Sequence, residues 1–255
     1  MVLAEEQGWM CSSQGILLKG AKVEAIILAG GLGTRLGSRL VDRPKSMALV
    51  AGRPFLAILL DRLVESGCTR VLLSVGHLRS VITDTFMESY RGLPITYVVE
   101  ESPLGTGGAI RKALEFCQED CSLVLNGDTY VDLDYAALWR FHCGCNPAIT
   151  MAVAQVADSG RYGRVRMERE QEFEYVTGFE EKGQGGEGWI NAGVYALQRR
   201  FPWPQQVTER FSFEKDVLVP GVESLRPLAF RHAGYFLDIG VPADLDRAES
   251  ELAGR

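Results

Sequence analysis

No apolar run in this chain of 255 residues approaches the roughly 20 that a membrane-spanning helix requires. The opening residues, Met1 to Lys22, also lack the basic start and apolar centre of a secretory signal. A cytoplasmic protein with no membrane partner is therefore expected. Excess positive charge is missing too. The chain has 27 Lys and Arg against 33 Asp and Glu, a formal net charge of -6, which argues against nucleic acid as a partner. Six cysteines, Cys11, Cys68, Cys117, Cys121, Cys143 and Cys145, match neither the spacing of a disulfide framework nor that of two zinc-binding pairs. They read as reduced structural thiols. There is no internal repeat and no low-complexity linker, so a second independent domain is not expected.

What the chain does have is an ordinary globular balance, 46% hydrophobic and 24% charged, at a length suited to one large α/β domain. Residues 1–22 carry no clear period and read as a loosely ordered extension, leaving 23–255 as the domain. From Val23 the text turns regular. Strands are expected at Val23 to Ala29, Arg70 to Val75, Ile95 to Val99, Ser122 to Leu125 and Ile149 to Ala154. Helices are expected at Pro54 to Ser66, Leu78 to Tyr90, Gly107 to Cys117 and Leu133 to His142. This alternation predicts a Rossmann-like, mostly parallel, doubly wound sheet. After Val156, short strands at Gly163 to Met167, Tyr175 to Phe179 and Ile190 to Leu197 form a strand-rich sub-region. A helix near Glu214 to Val219, strands at Leu228 to Arg231 and Gly234 to Ile239, and a helix from Pro242 to Leu252 close the chain.

Chemistry concentrates first at Ala25 to Lys45. The apolar run ending in Leu28 and Ala29 delivers Gly30, Gly31 and Gly33, then Thr34, Arg35 and Lys45, which is a strand feeding a phosphate-sized loop. A P-loop would need Gly-Lys-Ser/Thr, and a dinucleotide fingerprint would need Gly at position 36, which is Leu. At the carboxyl end of the first strand such a loop sits where open α/β sheets bind ligands. A second ligand-shaped loop runs from Glu100 through Gly105, Thr106 and Gly107. A third constellation is Asn126-Gly127-Asp128 at a strand end, where a carboxylate suits a hard cation that is otherwise held by substrate phosphates.

Ala29-Gly-Gly-Leu-Gly-Thr-Arg-Leu36 with Pro44-Lys45 resembles the signature of the sugar-1-phosphate nucleotidyltransferases, and the likeness runs from about Val23 to Leu252. One departure is Ser46, where many members have a second Pro. The wording at Leu104 to Ala109, Phe211 to Asp216 and Gly234 to Pro242 is most similar to the branch that acts on D-glycero-D-manno-heptose 1-phosphate with GTP. The resemblance implies roles that the residues alone leave open. Leu28, Ala29, Gly30, Gly31, Gly33, Thr34, Arg35, Glu100, Gly105, Thr106, Gly107, Asn126 and Gly127 would bind the nucleotide, with Arg35 on the departing pyrophosphate. Asp128 and Asp238 would hold Mg2+. Lys45, Glu181, Lys182, Asn191, Gly193 and Lys215 would bind the sugar phosphate. Arg35, Lys45, Asp128, Lys182 and Asp238 form the expected catalytic set, with GTP and a sugar 1-phosphate as partners.

Glu100 does not settle the base, since uracil also offers a ring N–H. Three alternatives stand beside this expectation, the first being another sugar-1-phosphate nucleotidyltransferase that joins mannose, glucose or N-acetylmuramate 1-phosphate to UTP or GTP. A nucleotide-sugar-dependent glycosyltransferase would use Asp-x-Asp, and Asn126-Gly127-Asp128 supplies only the second carboxylate. A regulatory subunit that binds GTP without reacting would not need Arg35, Lys45, Asp128, Lys182 and Asp238 together. A homodimer is compatible with the sequence, which is silent on assembly.

Overall fold

The computed structural model describes residues 22–31, 40, 42–183 and 185–253. The expected N-terminal extension, up to residue 21, and Gly33, Thr34 and Arg35 of the first loop lie outside these described residues. In chain order the first half consists of β1 (Glu24–Leu28), β2 (Leu49–Val50), β3 (Arg53–Pro54), α1 (Phe55–Glu65), β4 (Arg70–Val75), α2 (Arg79–Phe86), β5 (Ser89–Tyr90), β6 (Leu93–Val99), α3 (Gly105–Leu114), β7 (Cys121–Asn126) and β8 (Thr129–Val131). The second half consists of α4 (Tyr135–Cys145), β9 (Ile149–Val156), β10 (Val165–Glu170), β11 (Phe173–Phe179), β12 (Gly188–Gln198), α5 (Val219–Leu225), β13 (Leu228–His232), β14 (Phe236–Asp238) and α6 (Pro242–Glu251).

Ten of these strands form one twisted sheet in the order β10-β11-β13-β9-β12-β7-β1-β4-β6-β5. β1 pairs parallel with β4 and β7, and β4 pairs parallel with β6. β12 enters antiparallel between β7 and β9. Because β12 reverses direction twice over, β9 still points the same way as β7, and β13 runs parallel to β9. The parallel sense expected for the first 155 residues is thus kept, while its continuity is interrupted by a strand from much later in the chain.

The α1 boundaries show why the elements form where they do. Phe55, Leu56, Leu59, Leu60 and Leu63 are fully buried, a helical spacing that puts one apolar stripe on the sheet. Burying each such side chain contributes about 1.5–3 kcal/mol relative to leaving it in water. Pro54 precedes the first turn, and the helix stops with Gly67 at φ +73°. The Cys68 N–H donates to the Leu63 carbonyl at 2.9 Å and the Gly67 N–H to that of Val64 at 3.0 Å, so the last carbonyls are capped by the turn itself.

β1 is fixed at its start by a buried charge. Glu24, 2% exposed, accepts from Arg70 at 2.6 Å and from the Gln118 and Glu119 N–H groups at 2.7 and 2.8 Å. Such a fully satisfied carboxylate is structural, and removing its partner would leave an uncompensated charge. No helix among the described residues is long and apolar enough to cross a membrane.

At the same, amino-terminal end of the sheet, His142 of α4 is buried with Nδ1 2.9 Å from the Thr150 hydroxyl. Burial disfavours its charged form and pushes its pKa down to about 4. The unfolded chain takes up this proton near 6.5 and the folded chain does not, so His142 stabilises the fold above pH 6.5 and loses that contribution as pH falls toward 4. Over that window the loss is on the order of 3 kcal/mol. Denaturant titrations at steps between pH 7 and 4 should show a flatter pH dependence for His142→Gln than for the wild type. Equal slopes would contradict the assignment.

Candidate active site

The carboxyl ends of β1 and β7 lie side by side, and the loops that leave them open a cleft of about 390 Å³. Among the described residues its lining includes Leu28, Ala29, Gly30, Gly31, Lys45, Glu100, Gly105, Thr106, Asn126, Gly127 and Asp128. Eleven positions named from the sequence are therefore brought together, although they come from three separate loops. Ser46, Pro103 and Ala109 complete the wall.

The close approach of the first and third loops depends on Gly127. Its N–H donates to the Leu28 carbonyl at 3.2 Å, and a Cβ at this position would lie 2.4 Å from that same oxygen. No side chain fits there. Across the cleft, Glu100 is held at both carboxylate oxygens: the Ser74 hydroxyl donates to Oε1 at 2.8 Å and the Leu104 N–H to Oε2 at 3.1 Å. One bond to each oxygen leaves further lone pairs for a ligand N–H. Ser74, wholly buried on β4, was not singled out from the sequence. Its only signal was a hydroxyl in an otherwise apolar strand.

Asp128 and Asp238 meet through a short piece of antiparallel pairing. β14 lies against β8 with Asp238 opposite Thr129, and the Ile239 N–H donates to the Asp128 carbonyl at 3.0 Å. Lys45 stands between the two side chains, ion-paired to Asp128 and 3.6 Å from Asp238 Oδ1. It is delivered by a short 3-10 turn, Lys45–Met47, whose Ser46 hydroxyl donates to the Ala29 carbonyl at 3.2 Å. The pKa of Asp238 is raised, chiefly by burial and then by the negative charge of Asp128, against the opposing pull of Lys45 and the Gly240 N–H. Two carboxylates and one ammonium leave a net negative charge in a half-buried space, which is the chemistry of a cation site.

No group of three or more His, Cys, Asp or Glu side chains that could hold a metal ion occurs among the described residues. Asp128 and Asp238 alone suit Mg2+, which typically takes one or two carboxylates and completes its shell with water and substrate phosphates.

Not every expected residue reaches the cleft. Gly107 is set back, its N–H donated to the Phe211 carbonyl at 3.0 Å and its open side filled by the Phe211 ring. Glu181 and Lys182 are exposed in the turn after β11, which is tied to the neighbouring loop by the Gly183 N–H donating to the Gly160 carbonyl at 2.8 Å. Lys215 is exposed, and Asn191 and Gly193 lie on β12. None of these five positions lines the cleft.

Sequence reasoning also passed over Arg161. Its guanidinium is 2.5 Å from the buried Asp244 at the start of α6 and adds positive charge near Asp238. The pair joins residues from distant segments, so no local spacing announced it.

A strand-end cleft with a glycine loop, a lysine and two converging carboxylates defines a nucleotide-handling enzyme, and residues 24–254 match the Nucleotidyl transferase family. The chain belongs to that family. It is 37% identical to the D-glycero-alpha-D-manno-heptose 1-phosphate guanylyltransferase of Aneurinibacillus thermoaerophilus, over 90% of this chain and 98% of the relative. Against the enzyme of the same name from Campylobacter jejuni the identity is 39%, over 87% and 96%. The crystal structure of HddC from Yersinia pseudotuberculosis complexed with GMP-PN superposes with a TM-score of 0.76 at 34% identity, covering 90% of this chain and 99% of that one. Nucleotidyltransferases of this family generally use a divalent metal.

Because a methyl at position 127 collides with backbone rather than with a movable side chain, Gly127→Ala should force the β1 and β7 loops apart. The expected cost is roughly 1–3 kcal/mol of stability, with weakened nucleotide binding as the cleft changes shape. Thermal unfolding together with nucleotide titration calorimetry would check it. A variant indistinguishable from wild type in both would contradict the packing argument.

Proposed function

We propose that this enzyme joins GTP to D-glycero-D-manno-heptose 1-phosphate, giving GDP-heptose and pyrophosphate, as a step in bacterial surface polysaccharide synthesis carried out in the cytoplasm. The observation that carries the substrate choice is likeness along nearly the full length of both chains to the two heptose 1-phosphate guanylyltransferases. The chemistry is supported by the Asp128–Lys45–Asp238 cluster, of which Lys45 and Asp128 line the cleft and Asp238 stands behind them on Lys45.

In this reading an oxygen of the sugar phosphate attacks the α-phosphorus of GTP. A new P–O bond forms there, the bond to the bridging α–β oxygen breaks, and pyrophosphate departs with that electron pair. The nucleophile is already ionised at neutral pH, so no general base is needed. The protein's work is alignment and charge neutralisation. Holding two polyanions in line accounts for roughly 7–11 kcal/mol of the barrier in favourable cases.

Gly30, Gly31 and Gly127 let the backbone come close to the phosphates, while Glu100 faces the base. Lys45 supplies positive charge beside the reacting phosphates, and Arg35 is assigned to the leaving pyrophosphate. Lys182, Glu181 and Lys215, all exposed, are assigned to the sugar phosphate. Mg2+ held by Asp128 and Asp238 would supply further neutralisation of the phosphate oxygens. We further read residues 23–255 as one nucleotidyltransferase domain.

Mixing each of the four NTPs with heptose, mannose, glucose and N-acetylhexosamine 1-phosphates in Mg2+ should release pyrophosphate fastest with GTP and heptose 1-phosphate. A faster pair elsewhere in the matrix would replace the substrate assignment, and no pyrophosphate from any pair would remove the activity. Asp128→Asn and Asp238→Asn should each lower turnover on the order of 100-fold or more while thermal unfolding stays close to wild type. Full Mg2+-dependent turnover in either would refute the carboxylate assignment.

A further inference from the structure

Residues 209–216 form a brace between the nucleotide loop and β12. The Phe211 N–H donates to the Leu104 carbonyl at 3.0 Å, and the Phe213 N–H donates to the Thr106 hydroxyl at 2.9 Å. The Phe213 ring is 2% exposed and packs edge-on against Tyr195 and Phe201, with centroid distances of 5.2 and 5.7 Å. From that footing starts a π-helical turn, Glu214–Leu218, a rare geometry that often marks functional sites. Glu214 is its first residue.

Asn191 faces Glu214 across the gap. Its Nδ2 donates to the Tyr195 hydroxyl at 2.7 Å and to Glu214 Oε2 at 3.1 Å, while its Oδ1 accepts from the Gly193 N–H at 3.0 Å. A side-chain amide has two donor hydrogens. Both are already spent, so Asn191 has no hydrogen left to donate to a sugar hydroxyl. Glu214, by contrast, has no donor to Oε1 among the described residues and is only partly buried. The pair stands beside the cleft, because Gly193, at φ +69°, packs directly on cleft-lining Asn126: a Cβ there would lie 2.4 Å from Asn126 Nδ2.

We propose that Glu214 is the carboxylate that reads a hydroxyl of the sugar 1-phosphate, and that Asn191 is the positioning residue that aims it. The inference rests on the sugar-1-phosphate nucleotidyltransferase reading, and it assigns to Glu214 a sugar contact that the family resemblance gave to Asn191. An ionised acceptor makes hydrogen bonds about twice as strong as a neutral one, and Oε1 is open to receive an O–H. Tyr195 and Phe213, both buried, keep the two side chains in register.

Steady-state kinetics on Glu214→Gln would test this, using the sugar 1-phosphate that the wild type turns over best. The KM for that sugar phosphate should rise about tenfold to a hundredfold while the KM for GTP stays within about twofold. Analogues lacking one hydroxyl each should include one that the wild type discriminates against and Glu214→Gln does not. Asn191→Ala should raise the same KM, and the double variant should be no worse than the poorer single variant, because the two act as one unit. An unchanged sugar-phosphate KM, a rise confined to GTP, or fully additive losses would overturn the assignment. Wild type that prefers another sugar 1-phosphate corrects the heptose reading and leaves this test intact. Wild type that turns over no sugar 1-phosphate overturns both.

Discussion

The site depends on one electrostatic arrangement: two carboxylates from distant segments of the chain share a single ammonium. Asp128 follows β7, Asp238 ends β14, and Lys45 reaches both from the turn after the first loop. Burial disfavours the charged form of Asp238 and the negative charge of Asp128 adds to this, so the carboxyl of Asp238 holds its proton more tightly than an exposed one. The lysine relieves part of that cost. What is left over is net negative charge beside the cleft, and the same arrangement suits a cation that arrives with phosphates.

The scaffold's task is to keep that arrangement from relaxing. The parallel centre β6-β4-β1-β7 directs its strand ends to one edge, where the first and third loops touch at Gly127 and the Leu28 carbonyl. A separate two-strand pairing, β14 on β8, fixes Asp238 beside Asp128. The brace at 209–216 then joins the Leu104–Gly107 loop, through backbone N–H groups, to β12, through the Phe213 ring and the Glu214 carboxylate. Rigidity of this kind makes orientation a property of the fold and not of the substrate.

Much of the architecture was legible from periodicity. β4 falls on the expected residues, and α1, α3, α4, β9 and β12 fall within a few residues of expectation, because each carries a long apolar pattern ended by a turn residue. The short strands β2, β3, β5 and β8 were not legible, since two or three residues have no period. The place of β12 between β7 and β9 was not legible either. Its alternation says that it is a strand, but partner choice is decided by the whole sheet. Gly107 shows a second limit: the resemblance implies a nucleotide contact there, whereas the contact that the fold shows at its open side is the Phe211 ring.

The sequence by itself determined the glycine loop, the lysine that follows it, the acidic strand end and the family to which they belong, because these are local patterns of residue type. Only the tertiary structure decided which charges meet. That Lys45 bridges Asp128 and Asp238, that Ser74 holds Glu100, that Arg161 pairs with Asp244 and that Asn191 spends both of its amide hydrogens within the protein are all contacts between segments far apart in the chain. Such contacts are set by strand order and register, and no spacing within one segment carries that information.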